Sequence, residues 1–354
     1  MEQRPLSTDD FDYDLPQELI AQTPVEPRDQ SRLLVLSREQ GTLRHDHFYN
    51  IGHYLRAGDL LVANESRVIP ARLFGHKASG GKVEVLLLRR RDERSWEALV
   101  RGKGVRPGTT LQIEPQQAVT LHEPIQAQVL DLLPHGGRLI QFDAAIEPLL
   151  PELGQMPLPP YIHQQVANPE RYQTVYSKTQ GSAAAPTAGL HFTPQLIAAL
   201  QEQGVEWATV TLHVGLDTFR PVQVSDPTQH TMHSEYFELS AATAEAINRA
   251  RAEQRRVIAV GTTTVRVLET AAQWAERQGS STLRPCSGDT DIFIYPPYRF
   301  RVLSGLITNF HLPKSTLLML VSAFASREQI LAAYAEAVRE RYRFFSFGDA
   351  MLMI

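Results

Sequence analysis

The sequence GSAAAPTAGLHFTPQLIAALQEQGVEWATVTLHVGLDTFRP, residues 181–221, contains the pattern that decides the fold. Its first twelve residues are mostly small, which predicts a loop whose backbone a ligand can approach closely. Thr193 and Pro194 predict the start of a helix, as N-cap and first helical residue, and Gly204 predicts its end. The β-branched run from Val205 to Val214 predicts a buried strand. This loop, helix and strand indicate an α/β domain.

Further apolar runs outside this stretch predict more strands of the same domain. They lie at residues 59–64, 256–260, 290–294 and 303–309. After the run at 256–260, Gly261 and three threonines predict the start of one helix. After the run at 303–309, Ser315 predicts the N-cap of another.

The segment from Lys77 to Glu147 has a different texture. It contains six short alternating runs, KVEVLLLRR, WEALVRG, TTLQIE, AVTLHE, IQAQVLDLL and RLIQFD, which glycine-containing turns separate. Short strands at regular spacing with little helix predict a small antiparallel β-barrel. We therefore predict an α/β main domain at residues 1–74 and 152–354, with an inserted β-barrel domain at residues 75–151.

The composition is that of an ordinary globular chain. The 354 residues are 43% hydrophobic and 21% charged, with a formal net charge of −4. The first residues form no apolar signal segment, and the longest apolar run is too short to cross a bilayer. A single cysteine, Cys286, forms neither an internal disulfide nor a zinc framework. We expect a cytoplasmic protein with no membrane segment.

Four histidines follow predicted strands or turns: His191, His213, His233 and His311. Histidine moves protons near neutral pH, but each of these residues can instead be a packed, hydrogen-bonded core side chain. These histidines include no pair at i,i+4 helical spacing, and the chain has no HExxH motif and no acidic run typical of a metal site, so we predict no metal site.

The strand–glycine–helix turn at Gly261–Thr263 presents free N–H groups that favour an anion. It lacks the glycine and lysine pattern of a nucleoside triphosphate or dinucleotide site. Arg266, in the first helical turn, is able to clamp a carboxylate, or it is a plain surface arginine. Carboxylates near predicted loop ends are further candidates for binding an amine or orienting a histidine; they are Asp12, Asp14, Glu235, Asp291 and Asp349.

Residues 67–106 contain eleven basic and four acidic side chains, although the whole chain is acidic. A basic barrel is a suitable platform for a phosphate backbone, and the alternative is a solvated charged face. The tyrosines at positions 161, 172 and 176 can stack on bases or pack internally.

Ordered motifs along nearly the whole chain resemble the S-adenosylmethionine:tRNA ribosyltransferase-isomerases of queuosine synthesis. They are FDYDLP (11–16), SRVIPARLFG (66–75), MPLPPYI (156–162), YQTVYS (172–177), APTAGLHF (185–192), VTLHVG (210–215), MHSEY (232–236), VGTTTVR (260–266), TDIFIYP (290–296), TNFHLPKSTLLMLVSAF (308–324) and YRFFSFGDAM (342–351). The resemblance implies an α/β domain with a β-barrel and no metal or redox cofactor.

The resemblance also implies the reaction. S-adenosylmethionine is then a consumed substrate that donates its ribosyl group, and no cofactor is required. The acceptor is 7-aminomethyl-7-deazaguanine at the wobble position of a tRNA with a GUN anticodon. The products are epoxyqueuosine, adenine and methionine. We expect a monomer with these two substrates as its partners.

For this reaction we assign roles by residue type. Proton transfer is assigned to His191, His213 and His311, with His233 and Glu235 as orienting partners. The residues expected to bind the substrate are Thr187, Gly189, Gly215, Gly261, Thr262, Thr263, Arg266, Asp12 and Asp349. The residues expected to bind tRNA are Arg67, Arg72, Lys77, Arg101, Lys103 and Tyr161.

Four residues depart from the family pattern: Glu65, Asp217, Asp289 and Pro297. We expect these four differences to affect details of the substrate pocket and not the assignment of the chain to the family. Two rival functions remain open at this point. One is a metal-dependent hydrolase with His191, His213 and His311 as ligands, and the other is a non-catalytic RNA-binding protein that uses the basic barrel.

Overall fold

The computed structural model describes residues 6–116, 124–133, 136–164, 168–215 and 222–354. The chain divides into two compact units. The first contains the residues up to Ser66 together with Pro160–Thr179 and Pro186–Ile354, and the second contains Arg67–Pro159 and Gln180–Ala185. The domain boundaries that the sequence suggests, after residues 74 and 151, stay a prediction.

Strands and helices alternate in the first unit, whereas strands dominate the second. In chain order the described strands are β1 (Arg32–Leu36), β2 (Leu43–His47), β3 (Leu60–Asn64), β4 (Ser66–Val68), β5 (Arg72–Lys77), β6 (Lys82–Arg90), β7 (Ser95–Arg101), β8 (Thr110–Glu114), β9 (Ile125–Leu132), β10 (Arg138–Phe142), β11 (Gly154–Gln155), β12 (Thr179–Ser182), β13 (Glu206–Leu212), β14 (Glu235–Leu239), β15 (Val257–Val260), β16 (Cys286–Thr290), β17 (Gly305–Asn309) and β18 (Ala350–Met353). The α-helices are α1 (Leu150–Leu153), α2 (Pro194–Glu202), α3 (Ala241–Ala252), α4 (Thr262–Arg277), α5 (Thr316–Phe324) and α6 (Arg327–Arg339).

The first unit is organised by a nine-stranded mixed sheet with the order β16-β14-β13-β3-β15-β17-β18-β1-β2. Its central strands β13, β3, β15 and β17 are mutually parallel. β14 and β18 run antiparallel to their neighbours β13 and β17. The carboxyl ends of the four parallel strands therefore share one edge with the amino-terminal ends of β14 and β18.

Alternate residues of the strands pack into two separate cores, one on each face of this sheet. Leu34 and Met351 face a core built with α5 and α6. Leu33 and Leu352 face a second core built with α2. Because both faces are covered, the central strands are continuous apolar runs rather than alternating ones.

Helix α4 begins differently from α2, α3, α5 and α6. α2, α3, α5 and α6 begin after a Ser or Thr whose hydroxyl accepts an N–H of the first turn. α4 begins after Gly261, which has φ 89° and no side-chain cap. A residue with a Cβ is strained at this φ, so glycine is required here, and the first-turn N–H groups of α4 lack a side-chain acceptor from the cap.

The second unit is a closed six-stranded antiparallel barrel. The strand order is β5-β6-β7-β10-β9-β8, and pairing of β8 with β5 closes the ring, while β11 pairs with Arg72 and Leu73 at the start of β5, next to the part of β5 that pairs with β8. Gly75 lies at the closure, where an added Cβ would stand 2.1 Å from the carbonyl oxygen of Gln112. The fold class expected from the sequence, an α/β domain with a small antiparallel barrel, is confirmed.

Two details differ from the sequence prediction. The strand expected at residues 290–294 is instead β16, which ends at Thr290 and pairs with β14. The strand was missed because its sequence, CSGDT, has the polar composition of an outer strand rather than an apolar run. In the barrel, β5 supplies a sixth strand, while the predicted strand AVTLHE lies outside the described residues.

No single helix in the described part of the chain is long and apolar enough to cross a membrane. Helices α5 and α6 are long and apolar enough only when they are taken together, and the chain bends by 115° between them. Both helices contribute to the buried core of the first unit.

Candidate functional site

The shared edge of the nine-stranded sheet brings together residues that are far apart in the sequence. We call it the carboxyl edge and define it by the residues at the strand ends: Asn64, His213, Glu235, Gly261, Asn309 and Asp349. In open α/β sheets, ligands bind outside the carboxyl ends of the parallel strands. Most residues expected to act on the substrate lie at or near this edge.

His213 follows β13 and is half-buried. Its backbone N–H donates to the carbonyl oxygen of Tyr236, and its ring stacks on the Tyr236 ring at 5.8 Å. Its Nδ1 is buried and has no hydrogen-bond partner among the described residues. Burial lowers the pKa of His213. The imidazole is therefore held neutral, with a nitrogen free to take a proton.

Glu235 and Arg266 form a buried ion pair close to His213. Nη1 of Arg266 donates to Oε2 of Glu235, and Nη2 lies 3.3 Å from the carbonyl oxygen of Thr290. Oε1 of Glu235 accepts the N–H of Gly215 at 2.6 Å. The pair therefore connects α4 with β14 and with the turn that follows His213, and the charge of Arg266 is already neutralised.

His233 precedes this pair by two residues and is half-buried. Within the described residues it has an interaction of its own. It lies just before β14, on the chain segment that leads to Glu235 at the carboxyl edge.

His191 lies in a network of neutral hydrogen bonds and is completely buried. The hydroxyl of Thr187 donates to Oδ1 of Asn309 at 2.9 Å, which directs the amide N–H of Asn309 to Nε2 of His191 at 3.0 Å. Nδ1 of His191 then donates to the hydroxyl of Ser31 at 2.7 Å. Burial, followed by the charge of Arg28, lowers the pKa of His191 well below its usual value.

His311 is also buried and neutral. Its Nε2 lies 2.8 Å from the hydroxyl of Thr308. Two tyrosines hold its backbone, because Tyr334 accepts its N–H at 3.0 Å and Tyr13 donates to its carbonyl oxygen at 2.5 Å. Burial lowers the pKa of His311 to about 3. The side chain is thus fixed in position and uncharged at neutral pH.

The small-residue loop ends in a short 3-10 helix, Thr187–His191, beside the start of α4. A Cβ on Gly189 would stand 1.9 Å from the hydroxyl oxygen of Tyr176, so glycine is required by close packing. A Cβ on Gly261 would stand 3.6 Å from that of Ala188, which shows how near the two segments come.

Thr262 and Thr263 follow Gly261 in the first turn of α4, and both are buried. Asn64 lies beneath them. Its amide donates to the carbonyl oxygen of Leu212 at 2.9 Å and to the hydroxyl of Thr263 at 3.3 Å. Asn64 therefore locks the ends of β3 and β13 to the start of α4.

Asp12 and Asp349 have different surroundings. Asp12 is exposed and forms an ion pair with Lys314 at 3.1 Å. Asp349 is buried, and its two oxygens accept the backbone N–H groups of Arg32 at 2.8 Å and Arg343 at 2.7 Å. Burial raises the pKa of Asp349. Its carboxylate holds the start of β1 against the turn that precedes β18.

The basic residues of the barrel gather at its two ends. Lys77, Lys82, Arg101, Lys103 and Arg106 lie at the end where β5 and β7 finish, and we call this set the basic rim. Nζ of Lys77 donates to the carbonyl oxygen of Lys103 at 2.8 Å. Arg101 is 81% exposed.

The other end of the barrel carries its positive charge next to acids. Arg90 pairs with Glu147, and Arg91 pairs with Glu97. On the barrel wall, Arg72 lies 3.4 Å from Glu84. Among the described residues, the positive charges of the basic rim thus have fewer acidic partners than those at the other end of the barrel.

Two residues expected to bind tRNA, Arg67 and Tyr161, do not belong to the basic rim. Arg67 lies in β4, is half-buried and has an interaction within the described residues. Tyr161 belongs to the first unit, where its hydroxyl bonds that of Ser346 at 2.7 Å and its ring packs 4.8 Å from that of Phe345. Burial raises the pKa of Tyr161.

Three of the four atypical residues are in the described part of the chain. Glu65 follows Asn64, and its carboxylate lies 3.7 Å from Nζ of Lys178. Asp289 is exposed in β16, and Pro297 is exposed in the loop that follows β16. Asp217 lies outside the described residues.

Within the described ranges, no three His, Cys, Asp or Glu side chains come together in a way that suits a metal ion. His191 and His311, two ligands of the rival hydrolase reading, direct ring nitrogens to Ser31, Asn309 and Thr308.

Sequence reasoning missed several polar residues that position the site: Ser31, Asn64, Thr308, Asn309 and Tyr334. One signal was available for two of them. Asn64 and Asn309 each end a buried apolar strand, and a buried amide at a strand end needs partners for all its polar atoms.

Comparisons with known proteins agree with this geometry. The family described as "Queuosine biosynthesis protein" matches residues 8–353. The chain belongs to this family. A curated relative from Moorella thermoacetica, named S-adenosylmethionine:tRNA ribosyltransferase-isomerase, is 56% identical over 98% of this chain and 99% of its own length. A relative of the same name from Carboxydothermus hydrogenoformans is 57% identical over the same shares of the two chains.

A solved structure is similar as well. The crystal structure of S-adenosylmethionine tRNA ribosyltransferase from Thermotoga maritima is 41% identical in sequence. It covers 98% of this chain and 100% of its own, with a TM-score of 0.56. The family resemblance that the sequence motifs indicate is confirmed.

Proposed function

We propose that this protein transfers and isomerises the ribosyl group of S-adenosylmethionine onto 7-aminomethyl-7-deazaguanine in tRNA. The acceptor base occupies the wobble position of a GUN anticodon, and the products are epoxyqueuosine in the tRNA, adenine and methionine. Family membership and the names of relatives that share half or more of their residues with this chain support the reaction.

The observation that carries the proposal is the meeting of His213 with the Glu235–Arg266 pair and the uncapped start of α4 at the carboxyl edge. The reaction needs a base, because the sulfonium acidifies the neighbouring ribose carbon. A neutral imidazole with a free nitrogen is suited to that task. We therefore assign the base to Nδ1 of His213, with Glu235 fixing the turn that follows it through Gly215.

The other two histidines receive different roles. Both ring nitrogens of His191 are engaged, so it positions Thr187 and Asn309 rather than exchanging protons with the substrate. His311 has one engaged nitrogen, Nε2, and stays the second candidate for proton transfer. His233 keeps its place as an orienting partner on the approach to Glu235.

S-adenosylmethionine is placed along the Thr187–His191 segment and the first turn of α4. The N–H groups of Thr262 and Thr263 serve as donors to its polar atoms, and Gly189, Gly215 and Gly261 allow close approach. Arg266 supports this surface through Glu235. Asp12 supports this surface indirectly, through its ion pair with Lys314. Asp349 does so by holding the backbone of the turn before β18. S-adenosylmethionine is a consumed substrate, and the reaction is assigned to the chain without a cofactor.

The tRNA backbone is assigned to the basic rim. Lysine and arginine side chains that lack acidic partners gain most from contact with phosphates. Lys77, Arg101 and Lys103 belong to the rim. Glu84 lies 3.4 Å from Arg72 and 3.8 Å from Arg101, so Lys77 and Lys103 are the stronger candidates of this set. Arg67 stays a candidate in β4, and Tyr161 contributes through packing. We propose that the protein works as a monomer in the cytoplasm.

A turnover assay tests the proposal. Purified protein is mixed with S-adenosylmethionine and tRNA carrying 7-aminomethyl-7-deazaguanine, without added metal, and the nucleosides are analysed by mass spectrometry. We expect epoxyqueuosine and free adenine in equal amounts. Salt-dependent tRNA binding with both substrates intact would favour the RNA-binding alternative, and activity that requires added zinc or iron would favour the hydrolase alternative.

A further inference from the structure

Arg28 is a half-buried arginine whose terminal nitrogens are shielded from solvent and lack partners among the described residues. It begins a short 3-10 helix, Arg28–Gln30, which leads into β1. Its Nε donates to the carbonyl oxygen of Leu190 at 3.1 Å. Its Nη1 and Nη2 are shielded from solvent and have no hydrogen-bond partner among the described residues. The four N–H groups of these two nitrogens are therefore unsatisfied.

The charges around Arg28 do not compensate it. The arginines at positions 171 and 343 and the acids Glu26 and Asp349 act on it electrostatically. Glu26 is paired with Arg171, and both oxygens of Asp349 accept backbone N–H groups. Burial lowers the pKa of Arg28 to about 9, which leaves the guanidinium charged at neutral pH. A buried cation in this state costs free energy until an anion arrives.

Three other arginines of the same unit, two half-buried and one buried, have partners for their terminal nitrogens. Arg38 directs Nη1 and Nη2 to the carbonyl oxygens of Phe324 and Ser304, at 3.1 and 3.0 Å. Arg256 forms a two-point contact with Asp59. Arg266 is neutralised by Glu235. The terminal nitrogens of Arg28 thus differ from those of these three arginines, because they have no partner among the described residues.

We propose that Arg28 binds an oxyanion of a substrate through Nη1 and Nη2, and that this oxyanion is the carboxylate of S-adenosylmethionine. The planar fork of a guanidinium matches a carboxylate at two points. Arg28 contacts the segment that carries Thr187, Gly189 and His191, on which the donor is placed. Arg266, which the sequence suggested for this task, already holds Glu235.

This inference rests on the proposed function, and a tRNA phosphate presents the same chemistry as a carboxylate. Calorimetry distinguishes the two sources. Binding of S-adenosylmethionine and of its decarboxylated analogue is measured with the wild-type protein, with Arg28→Gln and with Arg28→Lys. The matched control is Arg38→Gln, which removes a half-buried arginine whose terminal nitrogens donate to carbonyl oxygens. Thermal melting verifies that each variant is folded.

We expect the wild-type protein to bind S-adenosylmethionine about 10- to 100-fold more tightly than the analogue, as charge-assisted hydrogen bonds do. Arg28→Gln should bind the two molecules equally, Arg28→Lys should keep part of the preference, and Arg38→Gln should keep all of it. If Arg28→Gln does not fold, Arg28→Lys and the wild-type preference decide the question.

Two results would overturn the carboxylate assignment. One is a wild-type protein that does not distinguish the two donors. The other is an Arg28→Gln variant that keeps the preference but binds tRNA more weakly and with a smaller salt dependence, which assigns Arg28 to a phosphate. Production of epoxyqueuosine by the wild-type protein is scored separately, so failure of the proposed function is distinguishable from failure of this inference.

Discussion

Burial sets the protonation state of three histidines of the first unit. His191, His213 and His311 all have lowered pKa values, and burial is the largest cause for each. Their hydrogen bonds then differ. His191 has two engaged ring nitrogens, His311 has one that is engaged with Thr308, and His213 has a buried Nδ1 that is free. This difference in hydrogen bonding is the reason that we assign a positioning role to His191 and the role of base to His213.

The low pKa of His311 predicts a loss of stability in acid. The folded state releases the proton near pH 3, whereas an unfolded histidine binds it below about pH 6.5. Between these values the unfolded state holds more protons, so stability falls as the pH is lowered from 6.5. One such group contributes a slope of about 1.4 kcal/mol per pH unit.

Urea unfolding of the wild-type protein and of His311→Gln between pH 7 and 5 measures this slope. We expect a shallower slope in the variant, and His191 supplies part of what remains. His53→Gln is the matched control, because that side chain is exposed. Equal slopes in His311→Gln and the wild-type protein would show that His311 takes up no proton on unfolding.

At the residue scale, the sequence predicted the chemical groups but not their partners. His191, His213 and His311 were chosen from their neighbours in the chain, whereas Ser31 and Asn309 are brought to His191 by the topology of the sheet. Arg266 was expected to meet a carboxylate, and the carboxylate within its reach is that of Glu235. Contacts between positions thirty or more residues apart are not encoded in a local pattern.

At the scale of elements, the Glu235–Arg266 pair joins β14 to α4 at the carboxyl edge. Glu235→Leu leaves Arg266 buried without a counter-charge, which should lower the free energy of unfolding by about 3–5 kcal/mol. Adding Arg266→Met removes the stranded charge and should recover part of that loss. Chemical denaturation of the two variants measures both effects. A double variant no more stable than the single one would mean that packing, not charge, dominates here.

Elements with strong local patterns were predicted well from the sequence. The buried runs of β3, β15 and β17 and the Thr193–Pro194 start of α2 appear as expected. β16 was misplaced because a polar outer strand has no apolar period. β5 was not predicted as a strand, since its pairing with β6 and β8 in the barrel determines its structure.

At the scale of the whole molecule, the two ends of the barrel differ in how many of their basic side chains are paired with acids. This difference predicts that tRNA binds at the basic rim. Removing three charges from the basic rim with Lys77→Gln, Lys82→Gln and Lys103→Gln should weaken tRNA binding. It should also reduce the slope of log affinity against log salt by about 2 to 3, near one unit for each lost phosphate contact.

The matched control neutralises three residues of the opposite end: Arg90, Arg91 and Arg94. Two of these are paired with acids, so we expect a smaller change in the salt slope. Filter binding across a salt series measures both triple variants. Equal slopes in the wild-type protein and the rim variant would move the tRNA contact away from the rim.

The organisation of the chain into an α/β unit and a barrel was predictable because each type of periodicity is local. The sequence also indicates the membership of the family, which covers both units. What the sequence does not contain is the order of the nine strands, and this order alone brings His213, Gly261 and Asn309 to one edge.

The central claim, that His213 removes a proton from the ribose carbon beside the sulfonium, is tested most directly by hydrogen exchange. S-adenosylmethionine and tRNA are incubated with wild-type protein and with His213→Gln in deuterated water, and deuterium at that carbon and epoxyqueuosine are followed by mass spectrometry. We expect the variant to bind S-adenosylmethionine but to lose both deuterium incorporation and turnover by about 10²- to 10⁴-fold, the usual contribution of a general base. Incorporation and turnover at the wild-type rate in His213→Gln would contradict the account.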